Sequence, residues 1–528
     1  MYHTIGNAIL YVYNYGQSLL YVLVALLLAA VNQKKFFRAE GTAVMQVISK
    51  AELFCMALLF GGAVGAALVP GDVTLMYSGR AALLYMLKGI LLSGILTAAI
   101  LAFTDFVAAR FKAVGAVFFL SVFLFCIFEL LLLDNPAIED WAATYYALDY
   151  SMGFGSRLFI GSVLHLFYDD FLSNTVAVRF VLVFMAIFAF LLAFLFTEWY
   201  CRAKEENKKG ILFIMLAFLA SPASFGAMAE NFGRLEVYGY FALALIILWG
   251  SLMAKKTALK YTGYILICAV MMLIYQGNIF LAFPGIFAIM ISECAKDGKW
   301  SGKELCGTVI TTAFTGFMFF FTQFYNPAFS DTNENALKEY IASKTDMEFA
   351  SGPLIYEYFR PLKKTWETIN YPYFSHEISD SAFLPWIGTA FTALLMMPVI
   401  VLIAIFWKRA YAHFKNAGMG ALKNPVTWML LSFLVIIPDF LLNIDWGRWF
   451  IALFFVQISV ICVMMRRSFA GADETLSLLS GLVLKYKWPA VLLVVYLYSL
   501  GNFYDCGFID TVYKMLSTLL GTQFPVIS

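Results

Sequence analysis

Twelve apolar runs punctuate the chain, near residues 9–31, 51–70, 82–103, 114–133, 176–198, 211–229, 237–253, 305–325, 386–407, 425–443, 448–465 and 488–504. Each is long enough, or nearly so, to cross about 30 Å of hydrocarbon as a helix. A further apolar stretch, 261–292, is interrupted at Tyr275-Gln276-Gly277-Asn278. It is too long for one comfortable span and reads as two short spans meeting at a polar break. The pattern predicts an all-α fold, a polytopic transmembrane helical bundle of about 14 membrane segments.

Composition removes other classes. Charged residues make up 13% of the chain, against about 25% in ordinary soluble domains. A net charge of +2, with basic residues in short clusters between apolar runs, gives no basis for a nucleic-acid partner. The eight cysteines are scattered without metal-ligand spacing, which argues against a disulfide framework or a zinc site. The opening MYHTIGNAIL lacks a basic n-region and a small-residue cleavage site, so the first apolar run is expected to be a retained span.

Basic residues set the expected orientation. With residue 1 outside, the inner loops collect 24 of the 36 Lys and Arg, among them Lys34, Lys35, Lys208, Lys209, Lys255, Lys256, Lys260, Lys408, Arg409, Arg466 and Arg467. Splitting 261–292 keeps every later loop in phase. The expectation is a multi-pass plasma-membrane protein with both termini outside. Four regions follow: an N-terminal three-span bundle (1–113), a membrane core (114–325) with an acidic outer loop at 134–175, an extracytoplasmic loop or cap (326–385), and C-terminal spans with an outer tail (386–528). The short basic inner loops carry no phosphate-cradling glycine-rich sequence.

Five polar clusters fall on the expected outer side. The first is DNPAIEDWAATYYALDYSMGFGSRLFIGSVLHLFYDD, Asp134 to Asp170. Trp141, Tyr145, Leu148 and Met152 recur at helical spacing, so part of this loop is expected to lie in the interface as an amphipathic helix. Asp149 there is the candidate general base, since desolvation at a lipid boundary raises a carboxyl pKa; Asp134 and Asp140 read as solvated acids, and Glu129 lies near the end of the preceding span. NFGRLEVYGY supplies Arg234 and Glu236, where Arg234 can equally pair with Glu230 four residues earlier. IYQGNIFLAFP puts Gln276 and Asn278 at membrane depth, where polar groups are costly unless they line a cavity or pack in protein. PDFLLNIDWGRWF supplies Asp445 and Arg448, three apart, with Asp439 inside the span beside them. The fifth region is the loop 326–385, too long for a connector, whose tyrosines and Trp366 could stack on sugar faces and whose His376 is a weak catalytic candidate.

The order DYSMGFGSRLFIGSVL, FGRLEVYGY, the polar break before IFLAFP, then NIDWGRW resembles that of multi-pass bacterial envelope proteins of the GT-C class, integral membrane glycosyltransferases. The resemblance covers about 130 to 450. The acidic loop follows the fourth span here rather than the first, and Gln276 stands where related sequences carry an acidic pair. The resemblance implies a helical membrane core, a catalytic acid in the outer loop, here Asp149 and less closely Asp140 or Glu139, and a donor sugar on a polyprenyl phosphate or diphosphate. Arg157, Arg234 and Arg448 would then hold the lipid phosphate, with Glu129, Asp140, Glu236, Gln276, Asn278 and Asp445 around the cavity.

The residues suit that chemistry on their own terms. Transfer of a sugar from a lipid phosphate needs a base for the acceptor and cations for the leaving phosphate, and direct displacement would invert the anomeric centre. The expected function is a membrane glycosyltransferase or glycan polymerase, with a polyprenyl-linked sugar donor, a glycan or lipid-linked acceptor and membrane lipid as partners. Cofactors are open: Glu129, Asp149, Glu236 and Asp445, if they converge, would suit a divalent cation. The alternatives are a transporter or flippase of lipid-linked glycans, which predicts functional charges on both sides, and a non-catalytic scaffold.

Overall fold

The computed structural model describes residues 118–127, 129–130, 140–167, 171–296, 299–325, 334–349, 390–442 and 446–503, with isolated residues between them. The expected spans at 9–31, 51–70 and 82–103, most of the loop 326–385, and Asp134, Glu139, Asp445, Trp366 and His376 lie outside the described residues. The chain divides into two compact units, Met1–Asp134 with Leu192–Arg202, and Asn135–Leu191 with Ala203–Ser528. In the first unit Phe118 stacks on Tyr200 at 4.4 Å between ring centroids, and Glu198 pairs with Arg202 at 2.6 Å.

The second unit is built from helices: α1 (Asp140–Ala147), α2 (Phe159–His165), most of α3 (Asn174–Arg202), α4 (Lys208–Leu219), α5 (Glu236–Leu252), α6 (Thr257–Ile274) and α7 (Phe283–Cys294). There follow α8 (Gly302–Phe324), α9 (Glu334–Lys344), α10 (Met397–Asn416), α11 (Pro425–Phe433), α12 (Trp446–Arg466), α13 (Ala472–Lys485) and α14 (Lys487–Ser499). The described strands are one two-residue hairpin, Ala295–Lys296 with Lys299–Trp300. Helices α3, α6, α8, α10 and α12 are long and apolar enough to cross a membrane, and the bent pair α13–α14 makes a sixth if counted as one broken span. Among the described residues that makes five to six candidate spans. Other apolar runs form shorter helices: α5, α7 and the 425–440 run have 10–17 residues, and the run at 211–229 ends its first helix at Leu219.

Helix α8 shows how these sequences pack. Its buried positions are Thr308, Thr311, Thr315 and Thr322, and Thr311, Thr315 and Thr322 each donate to a carbonyl one turn back. Its exposed positions are Val309, Ile310, Phe317, Phe320 and Phe324. Small hydroxyl residues inside and large apolar ones outside is the polarity expected of a helix in lipid. The centre of the unit is filled: Phe455 of α12 is fully buried and meets the rings of Phe188, Phe218 and Tyr240.

Stretch 261–292 does break. Helix α6 ends at Ile274, Tyr275 turns to an extended conformation, and a short helical turn, Asn278–Leu281, leads into α7. At the other end of the same helices sits a buried ionic network that the loop charges did not reveal. Lys260 of α6 reaches Glu293 of α7 at 3.0 Å and Glu304 of α8 at 2.7 Å. Arg467, just past α12, reaches Glu293 at 2.8 Å and Ser292 at 3.1 Å. Tyr264 donates to Glu293 at 2.9 Å, and Gly250 of α5 makes room, since a Cβ there would stand 2.1 Å from the Tyr264 hydroxyl. Removing one member of a buried pair leaves the other charge uncompensated, at a cost of about 3–5 kcal/mol. Glu293→Leu is therefore expected to lower the thermal midpoint of the purified protein by a large margin; an unchanged midpoint would show that the network does not hold these helix ends.

Candidate functional site

The segment 140–167 is folded against the neighbouring helices by its tyrosines. The Tyr146 hydroxyl donates to the Gly233 carbonyl at 2.9 Å and lies 3.0 Å from the Tyr238 hydroxyl, tying α1 to the turn before α5. Gly161 of α2 packs on the end of α1 so closely that a Cβ would lie 1.8 Å from the Leu148 carbonyl oxygen. Between these two helices runs the DYSMGFGSR stretch. Asp149 caps its short 3-10 turn, Tyr150–Met152, accepting from the Ser151 N–H at 2.7 Å. The Ser151 hydroxyl lies 2.9 Å from that of Tyr340 on α9, so α9 packs beside the Asp149 turn. Burial pushes the neighbouring Tyr150 phenol up to about 12.

Arg157 ends this stretch in a left-handed backbone conformation, φ +67°, which costs a non-glycine residue about 1–3 kcal/mol. Its guanidinium is held on three sides. Nη1 donates to the Tyr145 hydroxyl at 2.9 Å and Nε to Gln276 Oε1 at 3.0 Å. The rings of Tyr275 and Tyr145 lie 4.6 Å and 5.2 Å from the guanidinium carbon. Gln276 is itself oriented by Gln323 of α8, to whose Oε1 it donates at 3.3 Å. A strained cation fixed by two aromatic faces and two hydrogen bonds is a preorganised group, and its planar fork suits an oxyanion.

Two residues beyond Gln276, Asn278 faces the other way. It is fully buried and its amide lies against α5, where a Cβ on Gly239 would stand 2.1 Å from Asn278 Oδ1. On the same helix Glu236, 5% exposed, lies 3.3 Å from Arg448 Nη1, and the Arg448 guanidinium carbon sits 5.3 Å from the Trp449 ring. Glu236, Tyr240, Asn231 and Arg448 border a narrow cavity of about 10 Å³. Glu236 Oε1 is engaged by Arg448, whereas both amide atoms of Asn278 and the Tyr240 hydroxyl are buried without a hydrogen-bond partner among the described residues. Each such group forfeits about 1–3 kcal/mol, and native structures keep only a few. Tyr275 feels the charges of Arg157, Arg448, Glu236 and Asp439 together, so the two halves of the site meet at the polar break.

The structure thus brings Arg157, Gln276, Asn278, Glu236 and Arg448 to one region, and adds Tyr145, Tyr275, Gln323, Tyr240 and Asp439. Arg234 lies in the turn before α5, its N–H bonded to the Asn231 carbonyl at 3.2 Å. Asp140 is exposed at the start of α1 and accepts from the Trp141 N–H at 2.7 Å. Glu129 belongs to the first unit. No group of three or more His, Cys, Asp or Glu side chains converges among the described residues.

Gly239→Ala tests the packing of Asn278: the added methyl drives the amide off α5, and the overpacking is expected to cost about 1–3 kcal/mol, read as a lower thermal midpoint. Gly481→Ala, with open space at its Cβ, serves as the control. No family model, no curated protein and no solved structure matches the chain.

Proposed function

We propose that this chain is a membrane glycosyltransferase that moves a sugar from a polyprenyl-phosphate-type lipid to an acceptor hydroxyl at the extracytoplasmic face. One observation carries the reading: Arg157, held in a strained conformation between Tyr145 and Tyr275 at the end of apolar helices. A cation placed there suits a phosphate whose tail stays in lipid. In the reaction, Arg157 binds the bridging phosphate and stabilises the charge that develops on it as the glycosidic bond breaks. Asp149 accepts the proton of the attacking hydroxyl, which adds to the anomeric carbon from the opposite side and inverts it. Arg234 adds positive potential at the same end, while Arg448 is paired with Glu236. A resident metal is no part of this reading.

A second reading, a flippase for lipid-linked glycans, draws on the Lys260–Glu293–Glu304–Arg467 network, which puts buried charge at both ends of the same helices.

The test is turnover of a polyprenyl-phosphate sugar by purified protein in lipid nanodiscs, with a panel of acceptors. Asp149→Asn is expected to lower kcat about 10²–10⁴-fold. Arg157→Lys keeps the charge but loses the planar fork, and is expected to lower kcat/KM at least tenfold. Equal turnover by wild type and Asp149→Asn removes the base assignment. In proteoliposomes, movement of the lipid between leaflets without any turnover replaces the transferase reading with the second one.

A further inference from the structure

We infer that the face of α5 formed by Glu236, Gly239 and Tyr240, with Asn278 against it, is a recognition pocket for a hydroxyl group of a neutral polyol. The inference deepens the transferase reading and rests on it for one point: the polyol is the sugar carried by the lipid whose phosphate Arg157 binds.

Positions 236, 239 and 240 share one face of a helix, three and four residues apart. The Tyr240 hydroxyl on that face, and the Asn278 amide pressed against Gly239, are buried and have no hydrogen-bond partner among the described residues, while Glu236 Oε1 is met by Arg448 Nη1 at 3.3 Å. Glu236 and Tyr240 border the cavity. Buried polar groups of three residues therefore gather beside one helix face, those of Tyr240 and Asn278 with their hydrogen-bonding capacity unused.

Their chemistry selects the ligand class. The set contains acceptors, Glu236 Oε1 and Asn278 Oδ1, and donors, Asn278 Nδ2 and the Tyr240 hydroxyl. Glu236 and Arg448, 3.3 Å apart, offset each other, so an anion would meet the carboxylate and a cation the guanidinium. A hydroxyl donates once and accepts twice. It can give its proton to Glu236 and accept from Tyr240 or Asn278. The cavity, about 10 Å³, admits one group of that size, a ring hydroxyl or the end of a hydroxymethyl arm.

The break divides the work. Gln276 orients Arg157 toward the phosphate, and Asn278, two residues on, faces α5 and the sugar. A site built to bond a hydroxyl discriminates strongly against the ligand that lacks it, because its own groups are then left unpaired. Tyr240 and Asn278 are accordingly assigned as the residues that choose among sugars.

The experiment uses the full-length protein in nanodiscs and two sets of probes: neutral octyl glycosides differing at single hydroxyls, with their deoxy analogues, and a long-chain polyprenyl phosphate without sugar. Wild type is expected to bind at least one glycoside saturably and to bind the matching deoxy analogue at least tenfold more weakly. Tyr240→Phe and Asn278→Leu are each expected to weaken the glycoside at least tenfold while shifting the polyprenyl phosphate less than twofold; Arg157→Lys is expected to do the reverse. If Asn278→Leu fails to fold, Tyr240→Phe, which removes one oxygen, decides alone. Unchanged glycoside affinity in Tyr240→Phe, or no saturable binding of any glycoside by wild type, overturns the pocket and leaves it a water site. Glycoside binding that is lost in the variants, with no binding of the polyprenyl phosphate, upholds the pocket and removes the phosphate-lipid reading instead.

Discussion

A polar backbone break inside an apolar bundle has to find partners, and this constraint organises the second unit. Helix α6 stops at Ile274, and the turn that follows puts two amide side chains, Gln276 and Asn278, where water is scarce. Gln276 meets its need by bridging Arg157 and Gln323, which draws the 149–157 stretch and α8 onto the break. Asn278 packs into the gap left by Gly239, which fixes α5 beside it. The strain at Arg157 persists because its neighbours over-determine its place, with the Tyr146 anchor and the Gly161 contact setting the backbone on either side.

Polarity in this unit is sorted by depth and by face. Threonines turn inward on α8 and phenylalanines outward, so the surface that would meet lipid is apolar while the interior keeps hydroxyls satisfied by the helix backbone. Charged and amide groups gather at helix ends instead: Glu236 begins α5, Lys260 lies in the first turn of α6 and Gln276 just past its end, Glu304 and Gln323 lie near the ends of α8, and Arg448 and Arg467 lie at the two ends of α12. Between the ends the packing is aromatic and close, centred on Phe455.

Much of this outline was legible in the residues. The break at Tyr275–Asn278 follows from run length and from polar residues at membrane depth, and Arg157, Glu236 and Arg448 announce themselves as charges beside apolar runs. What lay hidden depended on long-range contacts. Tyr145 reads as one more interfacial aromatic until Arg157 is seen to bond its hydroxyl. Gln323 sits 47 residues from Gln276, and nothing local couples them. Lys260 counts as a loop charge in the topology argument, yet it is buried between two glutamates. Asp149 stands out as an acid among aromatics, but its use as a cap is set by a turn geometry that only coordinates reveal. Hydropathy does not tell a spanning helix from a short buried one, so the described residues carry the coarser statement of a helical protein with five to six candidate spans.

The two ends of the α6–α8 pair are fastened unequally. At one end Lys260 and Glu304 make a charged bond of 2.7 Å; at the other, Gln276 and Gln323 make a neutral one of 3.3 Å. Hydrogen bonds between ions are roughly twice as strong as neutral ones. The pair is therefore a set of tongs with its rivet at Lys260, and any loosening begins at the tips. A helix of this length is about 27 Å long, so a splay of about 5° at the rivet parts the tips by about 2 Å, half the width of a hydrocarbon chain, right beside Arg157.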